Sequence, residues 1–329
     1  MRRAVIVFCL ILAAGNIFAA GKIASSGRAA SGNDSLAAPD ASLPHVSSAP
    51  EPEFPVEISR AEKVMNALYA AYPHRIEKMS FRNDDWAILM QDTWYYYAEG
   101  KLLPENLLEN AENYNRQQFY TYNADLPPWE KPSDEQAARY RNFANNRSSN
   151  RLQRSSHFFD NLYQARNRIE AYQMVKSVRF FGKTVVVHTS LIKPLSMVEA
   201  RIRSEAKTDP KVQAWINGIN TMGGWNWRNI ADLQSRSHHA YGAAVDILPK
   251  SLGGKETYWL WASRTRTEWW NISYNERYHP PEAVVKAFEA YGFIWGGKWL
   301  LFDTMHFEYR PEIFILNDIK LETLSHFSS

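Results

Sequence analysis

The chain of 329 residues contains a single cysteine, Cys9, which lies inside an apolar run at the N-terminus. No intrachain disulfide and no thiolate metal cluster can form. The fold must therefore be held by buried apolar area, or by a metal bound through nitrogen and oxygen. Apolar residues are plentiful, with 45% of the chain hydrophobic and 14% aromatic. The charge balance is near even, with 38 Lys and Arg against 35 Asp and Glu. That excludes the basic footprint of a nucleic-acid binder and a long acidic tail.

The opening residues MRRAVIVFCLILAAGNIFAAGK place Arg2 and Arg3 first, then an apolar run, then the small residues Ala19, Ala20 and Gly21. This order predicts a secretory signal peptide over residues 1–21. The apolar run is short for a bilayer span, which needs about 20 residues; an uncleaved anchor is the alternative. Cleavage would leave a cysteine-free protein of the periplasm or cell envelope with no stable membrane span. Residues 22–55 are mostly Ser, Ala, Gly, Pro and Asp. They have too little apolar area to offset their ordering entropy and read as a disordered linker.

Regular structure is expected from residue 56. Ile58, Ala61, Met65, Leu68 and Tyr72 recur at steps of three and four, the spacing of one helical face. Ser59 with Glu62 forms a capping-box pattern at its start. Periodic stretches at 86–98 and 158–178 extend a mostly helical region over 56–175, with a loop-rich interval at 127–150. The run SVRFFGKTVVVHTS changes character, with two β-rich arms flanking Gly182-Lys183 and predicting a hairpin. A helix is predicted from Glu282 to Tyr291, after Pro280 and Pro281 and before Gly292. Residues 176–320 therefore read as an α+β domain, a small antiparallel sheet with flanking helices, and 321–329 as a tail. The clusters Trp94 to Tyr97 and Trp269-Trp270 read as packing.

The chemistry is concentrated between residues 228 and 308. His239 is followed seven residues on by Asp246, within AAVDIL, a short buried strand by its pattern. After the turn IWGGKW comes FDTMHFEYR, with Asp303, His306 and Glu308. A catalytic zinc takes three nitrogen or oxygen ligands and keeps a fourth position for water. His239, Asp246 and His306 supply that set for one zinc ion per chain. Asp303, three residues before His306, is placed to act as a base. Glu308 lies two residues after His306, on the same strand face, and can orient that ligand from behind.

Taken singly these spacings are common; together they form a register. SRSHHAYGAAVD resembles the Ser-x-His-x-x-Gly-x-Ala-x-Asp signature of zinc D-alanyl-D-alanine carboxypeptidases of the VanY type, whose relatives include L-alanyl-D-glutamate endolysins. WGGKWLLFDTMHFEYRPE resembles their second signature. The resemblance covers about 225–312 and implies the D-Ala-D-Ala carboxypeptidase/Hedgehog-like fold in the C-terminal half. It implies His239, Asp246 and His306 as zinc ligands, Asp303 as catalytic base and Ser237 as a support. Asp303 stands three residues before His306, as in the endolysin-like branch, where many carboxypeptidases have Glu two before. The Tyr-Arg-Ser segment of many members is absent, which leaves Arg228 as the nearest candidate for the substrate-facing arginine, ahead of Arg201 and Arg203. The alternative for Arg228 is stacking on Trp225 or Trp227.

The implied activity is hydrolysis of peptidoglycan stem peptides by metal-activated water, with a non-catalytic wall-binding protein on the same fold as the alternative. Of the other candidates, His238 is expected to face solvent, opposite to His239. His188 reads as a satisfied sheet histidine and His279 as a loop residue. Ser190-Leu-Ile-Lys193 matches the Ser-x-x-Lys of serine carboxypeptidases, but its Lys-Thr-Gly companion is missing.

Overall fold

Ser59 caps the first helix as its pattern predicts, its Oγ accepting the Glu62 N–H at 3.1 Å. Helix α1 (Arg60–Ala71) buries Val64, Met65 and Leu68 completely. Each such side chain contributes about 1.5–3 kcal/mol through its removal from water. The structure, a computed structural model, describes residues 58–146, 152–230 and 235–322. The signal-peptide and linker expectations, and the tail from 323, lie outside the described residues. Among the described residues no helix is long and apolar enough to cross a membrane.

After α1 the chain forms an antiparallel meander, β1 (Lys78–Arg82), β2 (Asp85–Met90), β3 (Thr93–Tyr96) and β4 (Leu103–Pro104). This corrects the helical reading of 86–98. Two-residue turns at Asn83-Asp84 and Gln91-Asp92, all four residues at positive φ, reverse the chain. Such mirror-image turns suit strand twist but usually announce themselves with glycine, and here none is present. Beyond β5 (Tyr114–Asn115) comes α2 (Asp134–Asn146), inside the interval expected to be loop-rich. Its signal is reciprocal capping. Ser133 Oγ accepts the Gln136 N–H and Gln136 Oε1 accepts the Ser133 N–H. Next are β6 (Gln153–Arg154), α3 (His157–Leu162) and α4 (Arg168–Met174). Helices and helical turns predominate in this region as expected, with the meander set among them.

The predicted hairpin is present as β7 (Val175–Phe180) and β8 (Lys183–His188). Its turn is Phe181-Gly182, both at positive φ, one residue earlier than the Gly182-Lys183 reading. Helices α5 (Ile192–Glu205) and α6 (Pro210–Gly218) lead into β9 (Ile219–Gly223). The buried strand predicted in AAVDIL is β10 (Ala244–Pro249), followed by the short α7 (Trp259–Ala262). Helix α8 (Glu282–Ala290) begins after Pro281 and stops before Gly292, which takes φ +85°. Strands β11 (Phe293–Trp295) and β12 (His306–Tyr309) and helix α9 (Pro311–Leu316) complete the chain. An antiparallel sheet of order β11-β12-β10-β9, flanked by helices, makes the C-terminal half α+β.

Both halves contribute to one apolar core, in which Val64, Leu68 and Phe158 join Phe288, Phe293 and Phe307. Helix α1 packs on α9. Residues 118–124 run from the first half across the second and are gripped by main-chain carbonyls. Arg60 donates to Phe119 O, Arg310 to Gln118 O, Asn317 to Tyr120 O, and Lys298 to Asn123 O and Ala124 O.

Two glycines bring the site's segments together. A Cβ on Gly224 would lie 2.1 Å from Val186 O, so only glycine lets this segment reach β8. Gly242 takes φ +70°, and a Cβ there would lie 2.6 Å from His188 N. Gly182 also has positive φ, +75°, but nothing lies within 4 Å of its would-be Cβ. Gly182→Ala is therefore expected to cost about 1 kcal/mol of conformational strain alone. Gly242→Ala should cost clearly more, about 1–3 kcal/mol beyond that from overpacking. Urea unfolding of both variants measures the difference, and equal losses would contradict the close approach.

Candidate metal centre

The register of the C-terminal sheet brings two distant residues face to face. Asp246 on β10 pairs directly with His306 on β12, and side chains so opposed have Cβ atoms about 4.5–5.5 Å apart. His239 comes from the 3-10 turn His238–Tyr241. Ser237 caps that turn, its Oγ accepting the His239 N–H at 3.3 Å, and Gly242 ends it in the left-handed conformation. The serine and glycine of the signature thus shape one turn, the buried Ala244 packs beneath it, and Asp246 follows on the strand.

Two ring nitrogens and both oxygens of Asp246 close a triangle of three side chains. His239 Nε2 lies 3.3 Å from Asp246 Oδ2 and 3.3 Å from His306 Nδ1, and His306 Nδ1 lies 3.0 Å from Asp246 Oδ1. Ligands about 2.0–2.1 Å from a tetrahedral ion are spaced by roughly 3.3 Å; the two nitrogens stand at that spacing, and each has a carboxylate oxygen of Asp246 close by. The far sides of both rings are tied down. His239 Nδ1 meets Gly224 O at 2.6 Å, and since a carbonyl only accepts, the proton is on Nδ1 and the Nε2 lone pair faces the triangle. His306 Nε2 donates to Glu308 Oε2 at 3.1 Å, which leaves Nδ1 as its ligand atom. Glu308 takes the supporting position read from the sequence, and Trp299 packs its ring against His306.

Asp303 is 1% exposed, and neither carboxylate oxygen has a hydrogen-bond partner of normal geometry. Burial, then the charge of Asp246, lifts its pKa to about 8, against weaker opposition from His306, the Met305 N–H and Arg228. Burial works against charge on His306, but Asp246 and Glu308 outweigh it and raise its pKa to about 10. Burial also opposes charge on Asp246, and the two histidines overcome it and hold the carboxyl well below its usual range. Such a site draws in positive charge, and the donor set fits a divalent cation.

Arg228 is near enough to Asp303 for its charge to act there. Arg236 stacks on Trp227, its guanidinium carbon 4.4 Å from the ring centroid. His238 corrects its solvent-facing expectation. It sits on a 3-10 turn, where strand alternation does not apply, and its ring is buried against Phe159 with Nε2 3.4 Å from Glu308 Oε1. Burial lowers its pKa to about 3. His188 is satisfied by Ser190 Oγ and Tyr163 O, and His279 by Tyr274 O. Sequence reading missed Gly224, Arg310 and Glu312. The last two continue the every-second-residue pattern of His306 and Glu308, which was the available signal.

Residues 231–309 match the family model described as D-alanyl-D-alanine carboxypeptidase, a span holding all three triangle residues, Asp303 and Glu308. The match to this peptidase family is confined to the C-terminal part of the chain. Residues 64–119 match a domain of unknown function. No curated protein and no solved structure matches the chain.

Ligation needs a neutral imidazole, and a neighbouring dication favours ionised Asp303. At pH 7 the metal-free protein carries a proton on each of His306 and Asp303, by their raised pKa values of about 10 and 8. Metal uptake should release about two protons, and apparent affinity should rise with pH, steeply up to about 8 and less steeply above. Calorimetry in buffers of different ionisation enthalpy measures the count; a buffer-independent heat would contradict it.

Proposed function

We propose that this protein is an exported zinc metallopeptidase that hydrolyses the stem peptides of peptidoglycan. The observation that carries the reading is the donor triangle of His239, Asp246 and His306 beside a buried carboxylate, Asp303, that its neighbours leave unsatisfied. The C-terminal family match supports the same class of substrate, and the N-terminal sequence pattern supports export.

Zinc held by the triangle would supply a Lewis acid that makes water nucleophilic near neutral pH and polarises the scissile carbonyl. His239 and His306 present their lone pairs because Gly224 O and Glu308 hold the opposite ring nitrogens. Asp303 takes the proton shed by the attacking water and returns it to the leaving amine. Its buried surroundings suit that work, since they raise the proton affinity of a carboxylate. Arg228 supplies positive charge for a substrate carboxylate or for the oxyanion as it develops. A protein that only bound wall peptides would have no use for a desolvated base at this position, which favours catalysis over the binding alternative.

Asp303→Ala is expected to keep near-stoichiometric zinc while losing turnover by about 10²–10⁴-fold. His239→Ala should lose both metal and activity. Digestion of purified muropeptides, with mass analysis of the products, reads the activity and shows whether a D,D, an L,D or an L-Ala-D-Glu bond is cut. Full activity in Asp303→Ala would remove the base from the mechanism. A wild-type protein that binds zinc and cleaves no stem peptide would favour the wall-binding alternative.

A further inference from the structure

The matched peptidase segment ends at residue 309, yet the contacts that hold its ligand His306 do not end there. Glu308 receives His306 Nε2 on one oxygen, and its other oxygen lies 3.3 Å from Arg310 Nη1. Arg310 Nε in turn donates to Glu312 Oε1, and Arg310 Nη2 donates to Gln118 O at 2.9 Å. Glu312 Oε2 accepts from Tyr72 Oη at 2.7 Å. Ring, carboxylate, guanidinium, carboxylate and phenol alternate in an unbroken buried chain, with Glu308, Arg310 and Glu312 each at most 3% exposed. Its last two partners, Tyr72 at the end of α1 and Gln118, both fall within residues 64–119, the domain of unknown function.

We infer that this domain is a working part of the metal centre, and that Tyr72 and Glu312 are positioning residues for the ligand His306. The inference rests on the zinc reading above. Arg310 and His238 both stand beside the second oxygen of Glu308, and Arg310 is the one of the two that is tied to the domain of unknown function. Arg310 keeps its aim at Glu308 because Glu312 and Gln118 O take its other N–H groups. Without the Tyr72 hydroxyl, Glu312 Oε2 is left in a dry site with no donor, and Glu312 then competes for the guanidinium that Glu308 needs. Removing supports behind a metal ligand typically weakens metal binding by about 10–100-fold.

The test uses the full chain and a chelator-competition titration for zinc, with the absorption spectrum of the cobalt(II)-substituted protein as a second readout. Glu312→Gln should weaken zinc binding by about tenfold or more, and Tyr72→Phe by a smaller factor in the same direction. The double variant should fall short of the product of the two effects, because both act on one chain. Both should also shift the cobalt spectrum. Val64→Ala, a change on α1 away from this chain, controls for stability. It should lower the melting temperature and leave zinc affinity and the cobalt spectrum unchanged. Wild-type affinity and spectrum in both Glu312→Gln and Tyr72→Phe would overturn the inference, as would equal weakening by Val64→Ala. A wild-type chain that binds no divalent metal would instead refute the zinc reading and this inference with it.

Discussion

Pairing of Asp246 with His306 across two antiparallel strands is the constraint on which the site depends. Sixty residues separate them along the chain, and a one-residue slip of β12 against β10 would send His306 to the opposite face of the sheet. The register is protected by what lies on the other face. Val245 and Phe307, each fully buried, pair beside them and pack into the common core, where Phe307 stacks on Phe288 with ring centroids 3.8 Å apart. Hydrophobic packing on one face of the sheet thus maintains the polar geometry on the other.

That polar face carries an unusual density of buried charge. Asp246, Asp303, Glu308 and Glu312 lie close together beneath the surface, with Arg310 among them and Arg228 within electrostatic reach. So many anions in a dry interior are unfavourable unless cations or protons compensate them. The raised pKa values of His306 and Asp303 express that demand, and a dication would meet it with two charges at one point. Protons on His306 and Asp303 now do part of that work, and a dication would displace them, so the same carboxylates favour metal capture.

Much of the site was legible in the sequence because its residues lie in short, stereotyped segments. Ser237, His239 and Gly242 belong to one capped turn, Asp246 to the strand that follows, and Asp303, His306 and Glu308 to a single six-residue stretch. Helix α8 and the 175–188 hairpin were readable for the same reason, their punctuation being local. Strands β2 and β3 were not, because Gln91-Asp92 makes a tight turn without glycine and the apolar residues around it also fit a helical period. His238 was misplaced by assuming a strand where the chain forms a turn. The link from Tyr72 to Glu312 spans 240 residues and leaves no trace in spacing; only the folded chain brings the two together.

The segment 118–124 crosses the C-terminal half under restraint from Arg60, Arg310, Asn317 and Lys298, and every one of those grips closes on a peptide oxygen. Any amino acid presents the same oxygen, so these anchors are indifferent to which side chains the strap carries. They are sensitive to how many residues it has. Dropping or adding one residue would displace each carbonyl by about 3.3 Å, beyond the reach of a hydrogen bond. Apart from Tyr120, whose hydroxyl accepts the Trp299 indole N–H, and the buried Tyr122, whose hydroxyl donates to Glu289 and accepts the Trp295 N–H, natural variation here should change letters and preserve the count.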